Sequence, residues 1–341
     1  MSATADSTDL LTSLRGRVAA SVTRWRPGAS VLGVEPLTGG SSSLTYLVDL
    51  EGVPRAEGRL VLKVAPPGLA PVRNRDVLRQ ARLMAALEPT TVAVPRSLFE
   101  DAGDPPAVPP YFAMDLLPGE CSEPVLESAD VRPEPVEVRD RYLSAARALA
   151  TLHAVDPGEV GLGEEPVVTI ADEIDRWTKA FATVPEDLQG DYERCAAALH
   201  ASIPPAMRPV VNHGDYRLGN TLCRDGRVEA IIDWEIWTVG DPRIDVTWLT
   251  FFTDEAEHPA AEPGQPAGTP TKAEVIAAYE AASGSPLQDM DWFDTLTKYK
   301  EAAATALLLK RGRGGGAMPP PMQRMVAGVP RLLDEVLAAL G

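Results

Sequence analysis

Residues 210–235 read VVNHGDYRLGNTLCRDGRVEAIIDWE, and they crowd one His, one Asn and two Asp of interest into a stretch otherwise made of apolar runs and a tight turn. PVVN and VEAIID have strand composition, and the Asp-Gly pair in CRDGRVE is a strong short-range hairpin signal. A hairpin in a helical region can hold side chains at fixed separation on both its arms, which is what a reactive site needs. His213, Asp215 and Asn220 are spaced H-x-D-x-x-x-x-N, and Asp233 follows on the next strand. The alternative is a set of turn-forming residues beside a glycine.

Upstream of this stretch the hydrophobic period changes twice. STDLLTSLRGRVAASVTRW offers Ser7, Thr8 and Asp9 as caps and then apolar residues at helical spacing, which predicts a helix over 9–25. SVLGVEPL, SLTYLVDL and RLVLKVA are short β-rich runs separated by TGGSS and EGVPRAEG, which predicts a three-stranded antiparallel meander. NRDVLRQARLMAAL returns to helical period, and PYFAMDLL reads as a strand after the proline-rich loop DAGDPPAVPP. Beyond LPGE the helices VRDRYLSAARALATLHAV, IADEIDRWTKAFATV and DYERCAAALHASI are expected. After the central stretch come RIDVTWLTFF, a loop from Thr253 to Pro270, and helices over 271–283, 288–311 and 322–340. RGRGGGAMPPP separates the last two. The expected class is α+β, with a small antiparallel-sheet N-lobe and hinge over 1–118 and a larger, mainly helical C-lobe over 119–341.

Composition excludes several partners. The 341 residues are 45% hydrophobic, enough for a substantial core, and carry 32 Lys plus Arg against 49 Asp plus Glu, a formal charge of -17. Such a surface repels a phosphate backbone or an anionic bilayer, so neither nucleic acid nor membrane is an expected partner. Cys121, Cys195 and Cys223 are odd in number and unpaired by spacing, which argues against a disulfide framework or a zinc site. With no apolar run for export or for spanning a bilayer, the expected location is the cytoplasm.

HGDYRLGN and IIDWE resemble the catalytic loop and metal-binding strand of the aminoglycoside phosphotransferase family, which shares the kinase-like fold with choline kinases and, more remotely, protein kinases. The resemblance runs over roughly residues 30–250 and implies a bilobal protein-kinase-like fold, ATP or GTP as donor, and magnesium. On it Asp215 orients the attacking hydroxyl and accepts its proton, while Asn220 and Asp233 hold the metal against the phosphates. Phosphoryl transfer consists chiefly of such alignment and charge neutralisation, and hard oxygen donors suit magnesium. His213 is expected to hold the loop through its ring. Arg217 either reaches the γ-phosphate or forms a surface ion pair. In the N-lobe the implied nucleotide-binding residues are Gly39, Gly40, Ser41, Ser42 and Ser43 of the turn, which could also be a plain hairpin turn, and Lys63 in LVLKVA. Backbone groups from Asp115 through Leu116 to Leu117 belong to the implied hinge. Where the family carries a Glu partner for the Lys, alignment by eye places Gln80, whose carbonyl can accept a hydrogen bond but brings no charge. That departure leaves a catalytically silent nucleotide-binding regulator as the rival reading. Asp245 in GDPRIDVTWL is expected to brace the catalytic loop from behind.

Only eleven residues separate Asp233 from Asp245, too few for the peptide-docking segment of a protein kinase, so a small-molecule hydroxyl acceptor is the expected partner. Asp254, Glu255, Glu257 and Glu262 would suit the ammonium groups of an aminosugar or simply be a solvated acidic loop. Lys310, Arg311 and Arg313 would suit a hydroxy acid or hydroxyacyl-coenzyme A, as in the kinase domains attached to some acyl-CoA dehydrogenases, or be a solvated helix end. The oligomeric state is left open.

Overall fold

The computed structural model describes residues 2–37, 43–312 and 320–341, and the chain divides into two units. The first is Met1–Pro118 together with Ala230–Ile236. It contains helix α1 (Ser2–Trp25), strands β1 (Ser30–Leu37), β2 (Leu44–Glu51) and β3 (Arg59–Val64), helix α2 (Val77–Leu87), and strands β4 (Ser97–Asp101) and β5 (Tyr111–Asp115). One antiparallel sheet runs in the order β1-β2-β3-β5-β4. The predicted meander thus forms three of its five strands. Strand β4, SLFED, escapes a pattern search because it carries two acids and no residue on it is fully buried.

Alternation along β3 decides where its lysine goes. Leu60, Leu62 and Val64 share a core with Leu14, Val18 and Val22 of α1, so Val61 and Lys63 project from the opposite face. Helix α1 runs through Ser7, Thr8 and Asp9 instead of starting at them, since such residues cost only a few tenths of a kcal/mol in a helix interior. Helix α2 does start at a cap, Asp76, whose carboxylate accepts from the amide of Arg79 at 3.0 Å.

The second unit is Gly119–Glu229 with Trp237–Gly341. Its elements are α3 (Pro135–Ala154), β6 (Val167–Val168), α4 (Ile170–Phe181), α5 (Tyr192–Ala201), β7 (Val210–Asn212), β8 (Thr221–Arg224), β9 (Arg227–Ile231, whose last two residues belong to the first unit), β10 (Thr238–Gly240), α6 (Arg243–Phe251), α7 (Lys272–Ser283), α8 (Met290–Gly312) and α9 (Pro320–Leu340). Trp177 and Phe181 of α4, Trp248 and Phe251 of α6, Tyr299 of α8 and Leu332 of α9 belong to one core cluster. Capping boxes, Thr169 with Asp172 and Thr271 with Glu274, start α4 and α7.

Two expectations about the central stretch change. PVVN and VEAIID are not the two arms of one hairpin: β7 pairs with β10, and β9 pairs with β8. Asp225 and Gly226 have φ of 52° and 72°, a two-residue I′-type turn that brings together its immediate neighbours and so makes TLCR a strand of its own. The segment carrying Asp233, expected in the C-lobe, groups with the first unit, where the amide of Ile231 donates to Ala93 O at 2.8 Å. Leu60 is fully buried at the α1–sheet contact, so Leu60→Ala is expected to lower unfolding stability by about 2–5 kcal/mol, read as an earlier urea midpoint.

Candidate functional site

In the second unit β7 hands the chain to a loop in which three successive amides, those of His213, Gly214 and Asp215, are hydrogen-bonded. The carboxylate of Asp245, fully buried in the first turn of α6, accepts from the amides of His213 (2.6 Å) and Gly214 (2.8 Å). His213, itself fully buried, accepts the next amide, that of Asp215, at its ring Nδ1 (3.2 Å). Gly214 has φ of 85°, a conformation natural only to glycine. Burial alone would push the Asp245 carboxyl up, but the His153 ring beside it and the charges of His153, His213 and Lys300 bring it below the ordinary range.

Asp215 emerges from this loop with both carboxylate oxygens engaged. Oδ1 accepts from the indole Nε1 of Trp248 at 2.7 Å, and Oδ2 accepts from Asn220 Nδ2 at 2.8 Å. The same amide nitrogen donates to the Asp215 carbonyl at 2.8 Å. Arg217 Nε lies 3.5 Å from Asp215 Oδ1, and its Nη1 lies 3.3 Å from Glu123, with the guanidinium over the Phe252 ring. Its ion pair is therefore not a surface one, because Glu123 is buried and also takes the amide of Gly219 at 3.0 Å.

In the first unit the Lys63 ammonium donates to Asp233 Oδ1 at 2.9 Å and to Ser43 Oγ at 3.5 Å, with Glu235 at 3.9 Å. Gln80 is not its partner. That side chain is buried on the inner face of α2, and its Nε2 makes no hydrogen bond among the described residues. Asp233 supplies a charge-assisted bond that a neutral amide cannot match. Asp233 also has φ of 66°, a rare left-handed conformation for a residue other than glycine, of the kind that collects at functional sites. At the end of β5 the Asp115 carboxylate pairs with Arg96 (2.7 Å) and its amide donates to the Arg96 carbonyl (3.2 Å), while Leu116 is exposed and Leu117 half-buried. Gly39, Gly40, Ser41 and Ser42 lie outside the described residues.

A cavity of about 650 Å³ opens in the second unit, lined among others by Asp254, Glu257, His258, Glu262, Arg324 and Arg331. The acidic loop beside it is partly structural. Asp254 gathers the amides of Ala267, Gly268 and Thr269, and Glu255 accepts that of Lys272. Glu257 and Glu262 also line it, as do Arg324 and Arg331, whose guanidinium groups are anchored on the carbonyls of Ala260 and Glu257. Of the basic residues expected to meet an acceptor, Lys310 instead donates to Thr183 O at 2.6 Å, Arg311 is exposed, and Arg313 lies outside the described residues.

Residues 33–294, well over half the chain, match the phosphotransferase enzyme family APH. The chain belongs to that family. Its fold is the kinase-like one. A Ralstonia eutropha protein named for the aminoglycoside phosphotransferases superposes with a TM-score of 0.75 at 21% identity, over 95% of this chain and 97% of that one. The macrolide 2'-phosphotransferase MphH of Brachybacterium faecium does so at 0.58 and 20%, over 94% and 98%. A thermostable mutant of APH(4)-Ia, in ternary complex with ADP and hygromycin B, does so at 0.61 and 15%, over 96% and 98%. Among curated relatives, acyl-CoA dehydrogenase family member 10 of Mus musculus is 29% identical over 216 residues, 61% of this chain and 19% of its own length. The probable acyl-CoA dehydrogenase IBR3 of Arabidopsis thaliana is 29% identical over 279 residues, 74% and 33%. The chain therefore spans a fifth to a third of these relatives. No helix among the described residues is long and apolar enough to cross a membrane.

Sequence reading did not pick out Trp248, Lys300, Glu123, Glu235 or Glu301 as parts of these clusters. Trp248 sits in the quoted GDPRIDVTWL, but its spacing marks it only as core. Glu123 and Glu301 are buried carboxyls, each pushed up to about 7 by burial, against the pull of Arg217 and the Gly219 amide on Glu123 and of Thr305 and Lys300 on Glu301. A carboxyl whose pKa is higher folded than unfolded takes up a proton on folding. Its contribution to stability is therefore present at acidic pH and lost as pH rises through about 7, by about 1.4 kcal/mol per pH unit per group at most. Unfolding free energies measured in urea at pH 5 and pH 8 should show this fall in the native protein and a smaller one in Glu301→Gln. An equal fall in both would show that Glu301 ionises normally.

Proposed function

We propose that the chain is an ATP- and magnesium-dependent O-phosphotransferase that phosphorylates a hydroxyl of a small molecule. The observation that carries this is Asp215: a carboxylate held on both oxygens, on a loop whose amides are tied to a buried Asp, in a chain of the phosphotransferase family. Such a group is suited to orient an acceptor hydroxyl and take its proton as the oxygen attacks the terminal phosphorus. Lys63, already seated against an anion, would bind the nucleotide phosphates, with Ser43 beside it. The ADP complex of APH(4)-Ia supports a nucleotide as donor.

Magnesium favours hard oxygens and takes few from protein, and each unit carries one residue that suits it. Asp233 offers a carboxylate that already faces a cation, and Asn220 offers its amide oxygen, its nitrogen being committed to Asp215. When bound, the metal would neutralise charge on the phosphates. Cys195 and Cys223 are buried thiols, which suits a reducing compartment, and the proposed location is the cytoplasm.

For the acceptor we propose the cavity beside Glu257, Glu262, Arg324 and Arg331, with an aminosugar or a hydroxy acid or hydroxyacyl compound as the two candidate classes; the names of the acyl-CoA dehydrogenase relatives favour the second. The rival is a nucleotide-binding regulator, motivated by Gln80, which offers Lys63 no charge; here Lys63 bonds Asp233. Phosphate transfer is to be assayed over a panel of both acceptor classes. Transfer should need magnesium, stop with EDTA, and drop by on the order of 10²–10⁴ in Asp215→Ala with nucleotide affinity retained. Nucleotide binding with no transfer to any acceptor would instead favour the regulator.

A further inference from the structure

Lys300, on α8, is 3% exposed, on a helix that also buries Phe293, Leu296, Ala303 and Ala306. Its ammonium donates to the carbonyl of Gly214 at 2.5 Å and lies 3.9 Å from the centre of the Trp248 ring and 5.7 Å from that of Trp177. Each of these indoles gives its N–H to a carboxylate, Trp177 to Glu173 at 2.7 Å and Trp248 to Asp215 at 2.7 Å. Burial lowers the Lys300 pKa, while Glu173, Asp215 and Asp245 favour its charged form. A buried ammonium is a costly way to fill a core. Here it meets two groups that reward a cation, a carbonyl and an aromatic face.

We infer that Lys300 and Trp248 are positioning residues for Asp215: Lys300 holds the loop carbonyl and the indole plane, and the indole N–H sets the orientation of the carboxylate. Gly214 is thereby tied at both ends, its amide to Asp245 and its carbonyl to Lys300. With Asn220 on Oδ2 and Trp248 on Oδ1, the carboxylate cannot rotate without breaking a short hydrogen bond. Arg217, 3.5 Å from the same Oδ1, is too far to replace that bond. The role rests on the phosphotransferase reading, since orientation matters only to a group that must meet a hydroxyl.

The test begins with Trp248→Phe, which keeps a ring over Lys300 and removes the donor, and with Lys300→Met and Lys300→Arg. On a panel acceptor, kcat should fall roughly 10- to 100-fold in Trp248→Phe and Lys300→Met while KM for nucleotide and acceptor stays within about twofold. Lys300→Arg should recover part of the loss. Benzothienylalanine at position 248, the same shape without the N–H, should reproduce Trp248→Phe and separates a lost hydrogen bond from a folding defect. In ¹⁵N-indole-labelled protein the Trp248 Nε1–H resonance should move in Asp215→Ala. Wild-type kcat with benzothienylalanine, or an unmoved resonance, would overturn the proposal. A native protein that transfers phosphate to nothing on the panel, but whose resonance moves, would leave the hydrogen bond standing and remove the phosphotransferase reading instead.

Discussion

The buried carboxylate of Asp245 is the constraint on which the second unit's site depends. A carboxylate with no exposure is tolerated only when its oxygens are filled, and here they are filled by the amides of His213 and Gly214 with His153 nearby. The arrangement works in both directions. The loop amides satisfy the acid, and the acid fixes a loop that passes through a left-handed glycine and would otherwise have several conformations. Helix α6 thus does two jobs with one face: Asp245 holds the backbone before Asp215, and Trp248, three residues on, reaches the Asp215 side chain.

The first unit solves a related problem with opposite charge. Lys63 is 7% exposed on a strand of apolar neighbours, and its ammonium finds Asp233, a residue far along the chain that reaches it in a left-handed backbone conformation. The turn that carries Asp233 is tied down by the indole of Trp234 on Ile231 O at 3.1 Å and by Ile231 on Ala93. The strained residue is therefore held by its surroundings, as such residues must be.

Much of this was legible from residue type and spacing, because local signals act locally. The Asp-Gly turn needs positive φ at both positions and obtains it. Lys63 lies in the third strand because LVLKVA is a short β-rich run bounded by turn signals, and Asp245 opens α6 as its place before an apolar helical run suggests. What misled was the assumption that neighbouring strands pair. VVN pairs with TVG, 28 residues further along by the Asn212–Gly240 span, because nothing in a three-residue strand specifies its partner. Gln80 was misassigned for a similar reason, since a helix position does not say which strand residue it meets.

By itself the sequence determined the α+β class, the N-terminal meander and most of the helices, and which residues carry acids, amides and a lysine in an apolar strand, since these follow from periodicity, turn chemistry and composition. Only the tertiary structure decided which of those groups meet. That Asp233 and not Gln80 answers Lys63, that Glu123 turns Arg217 inward, and that an indole and an ammonium from two helices converge on the Asp215 loop are contacts across 33 to 170 residues of chain. Hydrogen bonds and ion pairs act over a few ångströms of space, and separation along the chain holds no record of that distance until the core has packed.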